Sequence, residues 1–255
     1  MVDHVPVQTV EIIGSQGHRL VGRLHRPSGT AKGSILLAHC FSCSKDLHTM
    51  TRLSTGLADA GFAALRFDFT GLGDSAGDFA ETSVSANVAD LARAATTLIE
   101  MGFGPCGLLG HSLGGAASIL AAPRLKTVRS LLTLGAPSDV SHVTHLFAES
   151  VDEIRMQGRA PVSIAGRSFE LAADFIHDLD HHDVLDAVAE LERPYCTMHA
   201  RDDTIVGFDN AERLHAAAAE PKRLVAFDEG DHLFANRAVA EDMVTAAVGW
   251  FSETL

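Results

Sequence analysis

The stretch CGLLGHSLGGAASIL, residues 106–120, constrains the fold more than any other part of this chain. Its first half is a short unbroken apolar run, which suits a strand buried on both faces of a sheet. Its second half is rich in alanine and suits a helix. Between them, Gly110-His111-Ser112-Leu113-Gly114 forms a G-x-S-x-G. A strand that turns sharply into a helix forces the middle residue of the turn into a strained conformation, and glycine on either side removes the Cβ that would otherwise clash. Such a turn exposes the Ser112 hydroxyl at a helix N-terminus, where the dipole and the Leu113 N–H favour a negative oxygen. Without that strand and helix, Ser112 would be an ordinary helix cap.

The flanking sequence supplies the sheet that such a turn needs. VPVQTVEIIG and HRLVGRLHRP read as an antiparallel hairpin around Ser15-Gln16-Gly17. GSILLAH, FAALRFDF, CGLLGH, VRSLLTLGAP, RPYCTMHA and KRLVAFD read as further strands. Helices are expected from about His48 to Ala60 and from Ser83 to Met101, the latter with Val84, Val88, Leu91, Ala95 and Leu98 on one face. Strands alternating with helices imply an α/β fold, a mostly parallel sheet with helices on both faces. No repeat, low-complexity linker or domain boundary interrupts residues 1–255, so a single domain is expected. About sixty mostly polar or helical residues separate the strand ending near Gly135 from the one starting near Pro194, longer than a connection needs. We expect a helical cap insertion at about 138–185, with Phe147, Met156 and Phe175 as candidate contacts to a substrate chain.

Charge and cysteine usage exclude several classes. The net charge of −13 contains no Lys/Arg cluster, which argues against a nucleic-acid or anionic-membrane partner. The start MVDHVPVQTVEI has no basic region followed by an apolar stretch, and no apolar run approaches the roughly 18 residues of a membrane helix. Four cysteines in a chain this long do not make a disulfide framework; reduced thiols in the cytoplasm are the expectation.

A serine nucleophile needs a base, and the base an orienting acid. YCTMHARDDTIV places Asp202 and Asp203 just beyond one strand, and VAFDEGDHLF places His232 just beyond the next. Both are loops at the carboxyl end of the sheet, where sites of open α/β sheets form. Histidine is the side-chain type that exchanges a proton most readily near neutral pH, which makes His232 the candidate general base.

Taken together these stretches resemble the α/β-hydrolase superfamily over the whole length. GHSLGG matches its nucleophile turn, FDFTGLGDSAG its D-x-x-G-x-G-x-S loop and HARDDTIVG its H-G-x-x-D-x-x-V acid loop, with Ala200 where glycine is commoner. Aligning on Val206 selects Asp203 as the acid, with Asp202 a neighbour; members that draw the acid from the preceding strand keep Asp139 open. The resemblance also implies that His39-Cys40-Phe41 is the oxyanion loop, so that the N–H groups of Phe41 and Leu113 receive the oxyanion. AHCFSCSKD, IAGRSFEL, VGFDNAERL and DEGDHLF further resemble hydrolases that precede an OsmC-type peroxide-reducing domain, a possible partner in relatives.

His39, Cys40, Cys43 and His48 also have the composition of a metal site or a redox C-x-x-C. Adjacent residues at a strand end point in opposite directions, which argues against four converging ligands. We expect Cys40 to be a small residue under the oxyanion loop and Cys43 a small hydrophobe beside it, with Cys106 and Cys196 in the core. Asp74 and Ser75 are expected to shape a neighbouring loop, and His181-His182 to lie on a solvated helix end. The implied reaction is cofactor-free hydrolysis of a small-molecule ester through an acyl-enzyme on Ser112. An amidase or peptidase would use the same residues, and a ligand-binding member of the fold would use none; Ser112 in the nucleophile position disfavours a haloalkane dehalogenase, which needs Asp there.

Overall fold

Alternation along the central strands decides the layering. The computed structural model describes residues 7–104 and 106–255. In β3 (Ser34–Ala38), which follows the hairpin of β1 (Val7–Ile13) and β2 (Arg19–His25), Ile35 and Leu37 face one core while Leu36 and Ala38 face the other. Val5 and Pro6, read as the start of the first strand, lie outside the described residues. β4 (Ala63–Phe67), β5 (Cys106–His111), β6 (Val128–Leu134), β9 (Tyr195–Ala200) and β10 (Lys222–Phe227) complete the sheet in the order β1-β2-β4-β3-β5-β6-β9-β10, parallel from β4 onward. β3, β4 and β5 are buried throughout, as strands covered on both faces must be.

Helices α1 (His48–Asp59) and α8 (Arg237–Thr254) cover one face, with Met50, Leu53, Met243, Trp250 and Phe251 packed on Ile35, Leu37 and Leu109. α2 (Val84–Glu100) and α3 (Leu113–Ala121) cover the other. α2 starts where Ser83 Oγ accepts the Ala86 N–H and buries Val84, Val88, Leu91, Ala95 and Leu98, the expected stripe.

The segment between β6 and β9 is not wholly helical. A 3₁₀ segment (Val140–Ser150) and α4 (Val151–Gln157) lead into a hairpin of β7 (Arg159–Ile164) and β8 (Arg167–Ala172), followed by α5 (Ala173–Leu179) and α6 (Val184–Ala189). α7 (Asp209–Ala217) joins β9 to β10. Ala165 and Gly166 both take positive φ at the hairpin tip, the geometry of a tight two-residue turn. The alternation Ala160, Val162, Ile164 is visible in RAPVSI, but Pro161 argues against a strand. Pro161 pairs with Glu170, three positions from the Ile164–Arg167 pair that closes the turn, so its nitrogen points away from β8, and with no further strand on that side among the described residues the missing N–H costs no ladder bond.

Candidate active site

Four strand ends meet at the carboxyl edge of the sheet, where open α/β sheets build their sites. β5 ends in Ser112, which holds φ 56° and ψ −128°, while its N–H donates to Leu134 O at 2.9 Å. A positive φ at a non-glycine is strained, and here the strand and helix on either side enforce it. The flanking glycines are required by contact: a Cβ on Gly110 would sit 2.3 Å from Gly114 O, and one on Gly114 2.3 Å from His39 O. Helix α3 is therefore pressed against the end of β3, which brings Leu113 and Phe41 to the wall of the same cavity as Ser112.

β9 and β10 contribute the second half. His232 Nδ1–H donates to Asp203 Oδ2 at 2.7 Å, and the Ile205 and Val206 amides donate to Asp203 Oδ1 at 2.9 Å each. Burial alone would raise the Asp203 carboxyl. The close approach of the His199 ring, the hydrogen bond and charge of His232 and the Val206 amide outweigh it and hold the group well below the usual carboxylate range. Asp202 is exposed, and Asp139 caps its own turn by accepting the Ser141 N–H, so neither meets His232.

Two histidines that the sequence reading passed over support this pair. His199 Nε2–H donates to Val206 O at 2.7 Å and lies 3.4 Å from Asp203 Oδ2. His111 Nε2–H donates to the His232 carbonyl at 2.8 Å, and burial, then the charge of His232, push its pKa down to about 3. His111 sat in plain view inside G-x-S-x-G, but nothing in that motif points it at His232.

The loop after β3, which carries Phe41, is fixed from below by buried charge. Lys45, 1% exposed, donates its N–H to Asp68 Oδ1 at 2.6 Å; its ammonium reaches Asp68 at 2.9 Å and Asp74 at 2.7 Å. Asp74 thus shapes its loop through an ion pair with the loop after β3. His39 is neutral and fully engaged: Nδ1–H donates to Cys40 O at 2.8 Å, Nε2 accepts the Phe69 N–H, and burial lowers its pKa. No group of three or more His, Cys, Asp or Glu able to hold a metal occurs among the described residues.

The cysteines correct the expectation of separate reduced thiols. Cys40 and Cys43 form a disulfide. Ser42 at φ 59° and the bond from Cys43 N–H to Cys40 O curl the loop until the two Cα atoms stand 5.4 Å apart, within bridging distance. Cys106 and Cys196 are free, buried in strands, and pushed up to about 11 and about 12 by burial. Outside the cavity, His182 and Ser85 share Asp178, a tie between α5 and α2.

The cavity at Ser112 measures about 320 Å³ and is largely apolar. The inserted segment contributes His142, Val143, His145, Leu146, Ile164 and Ala165 to its wall, while Ile205 and Leu233 bring exposed apolar side chains. Phe147, Met156 and Phe175 do not line it. Phe147 and Phe175 are buried beside the Phe41 ring, and Met156 is 79% exposed. Arg167, next to the hairpin tip, donates to Ser42 O at 2.8 Å and so ties the insertion to the loop after β3. No helix among the described residues is long and apolar enough to cross a membrane.

Sheet order, strand-to-helix turn and the loops after β9 and β10 define an α/β-hydrolase fold. The chain belongs to the Alpha/beta hydrolase family, whose profile matches residues 35–246. Mouse palmitoyl-protein thioesterase ABHD10, a mitochondrial protein, is 28% identical over 185 residues, 70% of this chain; the chain spans 61% of that relative's length. Zebrafish lysophosphatidylserine lipase ABHD12 is 30% identical over 176 residues, 66% of this chain and 42% of its own. The structure of an esterase domain from a Rhodothermus marinus protein superposes with a TM-score of 0.80 at 35% identity, covering 98% of this chain and 99% of that one. Est1E from Butyrivibrio proteoclasticus, with ferulic acid bound, shares the fold at 19% identity and a TM-score of 0.80 over 96% of this chain and 99% of that one.

Proposed function

We propose that the protein is a serine hydrolase that cleaves carboxylic esters with short or medium apolar acyl groups. The observation that carries this reading is the Asp203–His232 bond on the rim of the cavity whose wall holds Ser112 in its strained turn. In the reaction, His232 takes the Ser112 proton, Ser112 Oγ attacks the carbonyl carbon, and the Phe41 and Leu113 N–H groups receive the oxyanion. His232 then protonates the leaving alcohol, and water repeats the sequence on the acyl-enzyme. No cofactor takes part.

The cavity sets the acyl range. At about 320 Å³, and roughly 30 Å³ for each heavy atom of a liquid such as water, it holds about ten heavy atoms. A palmitoyl chain exceeds that and would have to run out past Ile205 and Leu233. Thioesters are a second reading, supported by the mouse thioesterase among the relatives. The inserted segment acts as a cap in this scheme, and a cytoplasmic setting is part of the proposal. The kinship with hydrolases that precede an OsmC-type domain rests on AHCFSCSKD and its companion stretches alone, and none of the relatives above adds to it.

A fluorophosphonate probe should label wild type at Ser112 and leave Ser112→Ala unlabelled. p-Nitrophenyl esters of graded length should show kcat/KM peaking at about eight acyl carbons or fewer. Absence of labelling would leave a ligand-binding member of the fold; a peak at palmitate would refute the cavity argument.

A further inference from the structure

The disulfide is part of the acyl cavity. Cys40 and Cys43 both line it, together with Ser112, Leu113 and His232. The bond closes a ring of four residues, and that ring contains Phe41, the oxyanion donor of the reading above, and Ser42 at φ 59°. The two sulfurs differ in access: Cys40 is 5% exposed and Cys43 is half-buried. The cavity they share is largely apolar, with Val143, Leu146 and Ile164 also in its wall.

We propose that the Cys40–Cys43 disulfide is a thiol-exchange site, at which a small apolar thiol entering the acyl cavity is captured as a mixed disulfide on Cys43 and arrests ester turnover. The chemistry is disulfide exchange. The thiolate attacks Cys43 Sγ, an R–S–Sγ bond forms, and the Cys40–Cys43 bond breaks with its electron pair leaving on Cys40. Cys40 takes up the proton that the incoming thiol gave up, so no other oxidant or reductant is needed. The captured group then occupies acyl space beside Ser112, and the opened ring no longer holds the Phe41 N–H. A second thiol can release R–S–S–R and leave both cysteines reduced; without one, Cys40 displaces the captured thiol and the disulfide returns. The thiol can be free in solution or be the product of a thioester cleaved at Ser112. The arrest rests on the assignment of Ser112 and Phe41 above; the capture itself does not.

The test treats the oxidised enzyme with 1-butanethiol, quenches with N-ethylmaleimide, and maps the peptides while p-nitrophenyl butanoate turnover is followed. With butanethiol held to about one equivalent, so that the mixed disulfide forms without full reduction of the pair, the expected result is butanethiol on Cys43, maleimide on Cys40, nothing on Cys106 or Cys196, and a fall in turnover of at least tenfold that reverses as Cys40 displaces the captured thiol and the free thiol is removed. Glutathione, charged and larger, should react at least tenfold more slowly. Cys40→Ser should show no thiol-dependent change. Equal rates for the two thiols, butanethiol on Cys40, no adduct, or an adduct with unchanged turnover would each overturn the proposal. A second arm compares S-butyl thiobutanoate with p-nitrophenyl butanoate: progress curves should bend downward for the thioester alone. A thioester that is not turned over removes the product as a source and refutes the thioester reading, whereas the added-thiol arm decides the site by itself.

Discussion

Gly114→Ala perturbs the proposed oxyanion hole without touching a substrate. The new methyl carbon would stand 2.3 Å from His39 O and 2.7 Å from Ala38 O, both backbone atoms that no rotamer change can move. A carbon–oxygen contact needs about 3.3 Å, so helix α3 and the end of β3 must separate by about 1 Å. Leu113 precedes Gly114 and Phe41 lies two residues beyond His39, so the separation falls between the two donors. Misplacement of that size costs about 100-fold, or about 2.7 kcal/mol of transition-state stabilisation. The acyl wall formed by Val143, Leu146 and Ile164 is left alone, so KM should change little while kcat falls. Forcing an extra methyl into a packed contact costs about 1–3 kcal/mol of stability, a drop in Tm of roughly 2–10 °C for a chain this size. Stopped-time assays with p-nitrophenyl butanoate and a thermal melt measure both. Gly249→Ala is the control: no atom lies within 4 Å of its ideal Cβ in α8, so it should gain about 0.5–1 kcal/mol and keep its kcat. A Gly114→Ala enzyme with kcat within about threefold of wild type would show that the end of β3 does not position the oxyanion donor.

Asp203→Asn should lower kcat by roughly four orders of magnitude, because an amide facing His232 Nδ1 favours the wrong tautomer, while Asp202→Asn, at an exposed site, should stay within about twofold; the reverse ranking in a steady-state assay would move the acid by one residue. His111 and His25 have folded pKa values lowered to about 3 and about 4, chiefly by burial, so the unfolded chain binds more protons than the folded one below about pH 6.5. Stability is then full above pH 6.5 and falls on acidification through that window by about 1.4 kcal/mol per pH unit for each histidine. Urea titrations between pH 7 and 4.5 should show the slope reduced by one proton in His111→Gln; an unchanged slope would clear His111 of that role.

What the sequence discloses follows from the range of the interactions involved. β3 and β5 were legible because continuous apolar runs suit only strands covered on both faces, and Ser112 because a strand, a glycine-flanked serine and an Ala-rich helix stand in one uninterrupted stretch. Asp203 was legible through its spacing to Val206, whose amide it accepts. Other features depend on groups far apart in the chain. Nothing near Lys45 reveals that Asp68 and Asp74 will bury its ammonium, or that His111 will reach a carbonyl 121 residues away. The disulfide was present as C-x-x-C, but its formation rests on a backbone φ of 59° at Ser42, which composition does not disclose. The β7–β8 hairpin was hidden by Pro161, harmless only because that strand has no interior position in a larger sheet.

The wall of the cavity divides by origin. Ile205 lies two residues from Asp203 and gives it an N–H bond, and Leu233 is bonded directly to His232, so these two walls are part of the loops that carry the proposed acid and base. Val143, Leu146 and Ile164 belong to the insertion, which supplies none of the proposed reacting groups. Inheritance can therefore act on the two halves separately. A lineage can exchange the inserted segment and acquire new substrates while its reaction stays intact, whereas a drift at Ile205 or Leu233 alters preference and rate together. Among descendants of such a chain, diversity should collect in the insertion, and the loops after β9 and β10 should age slowly.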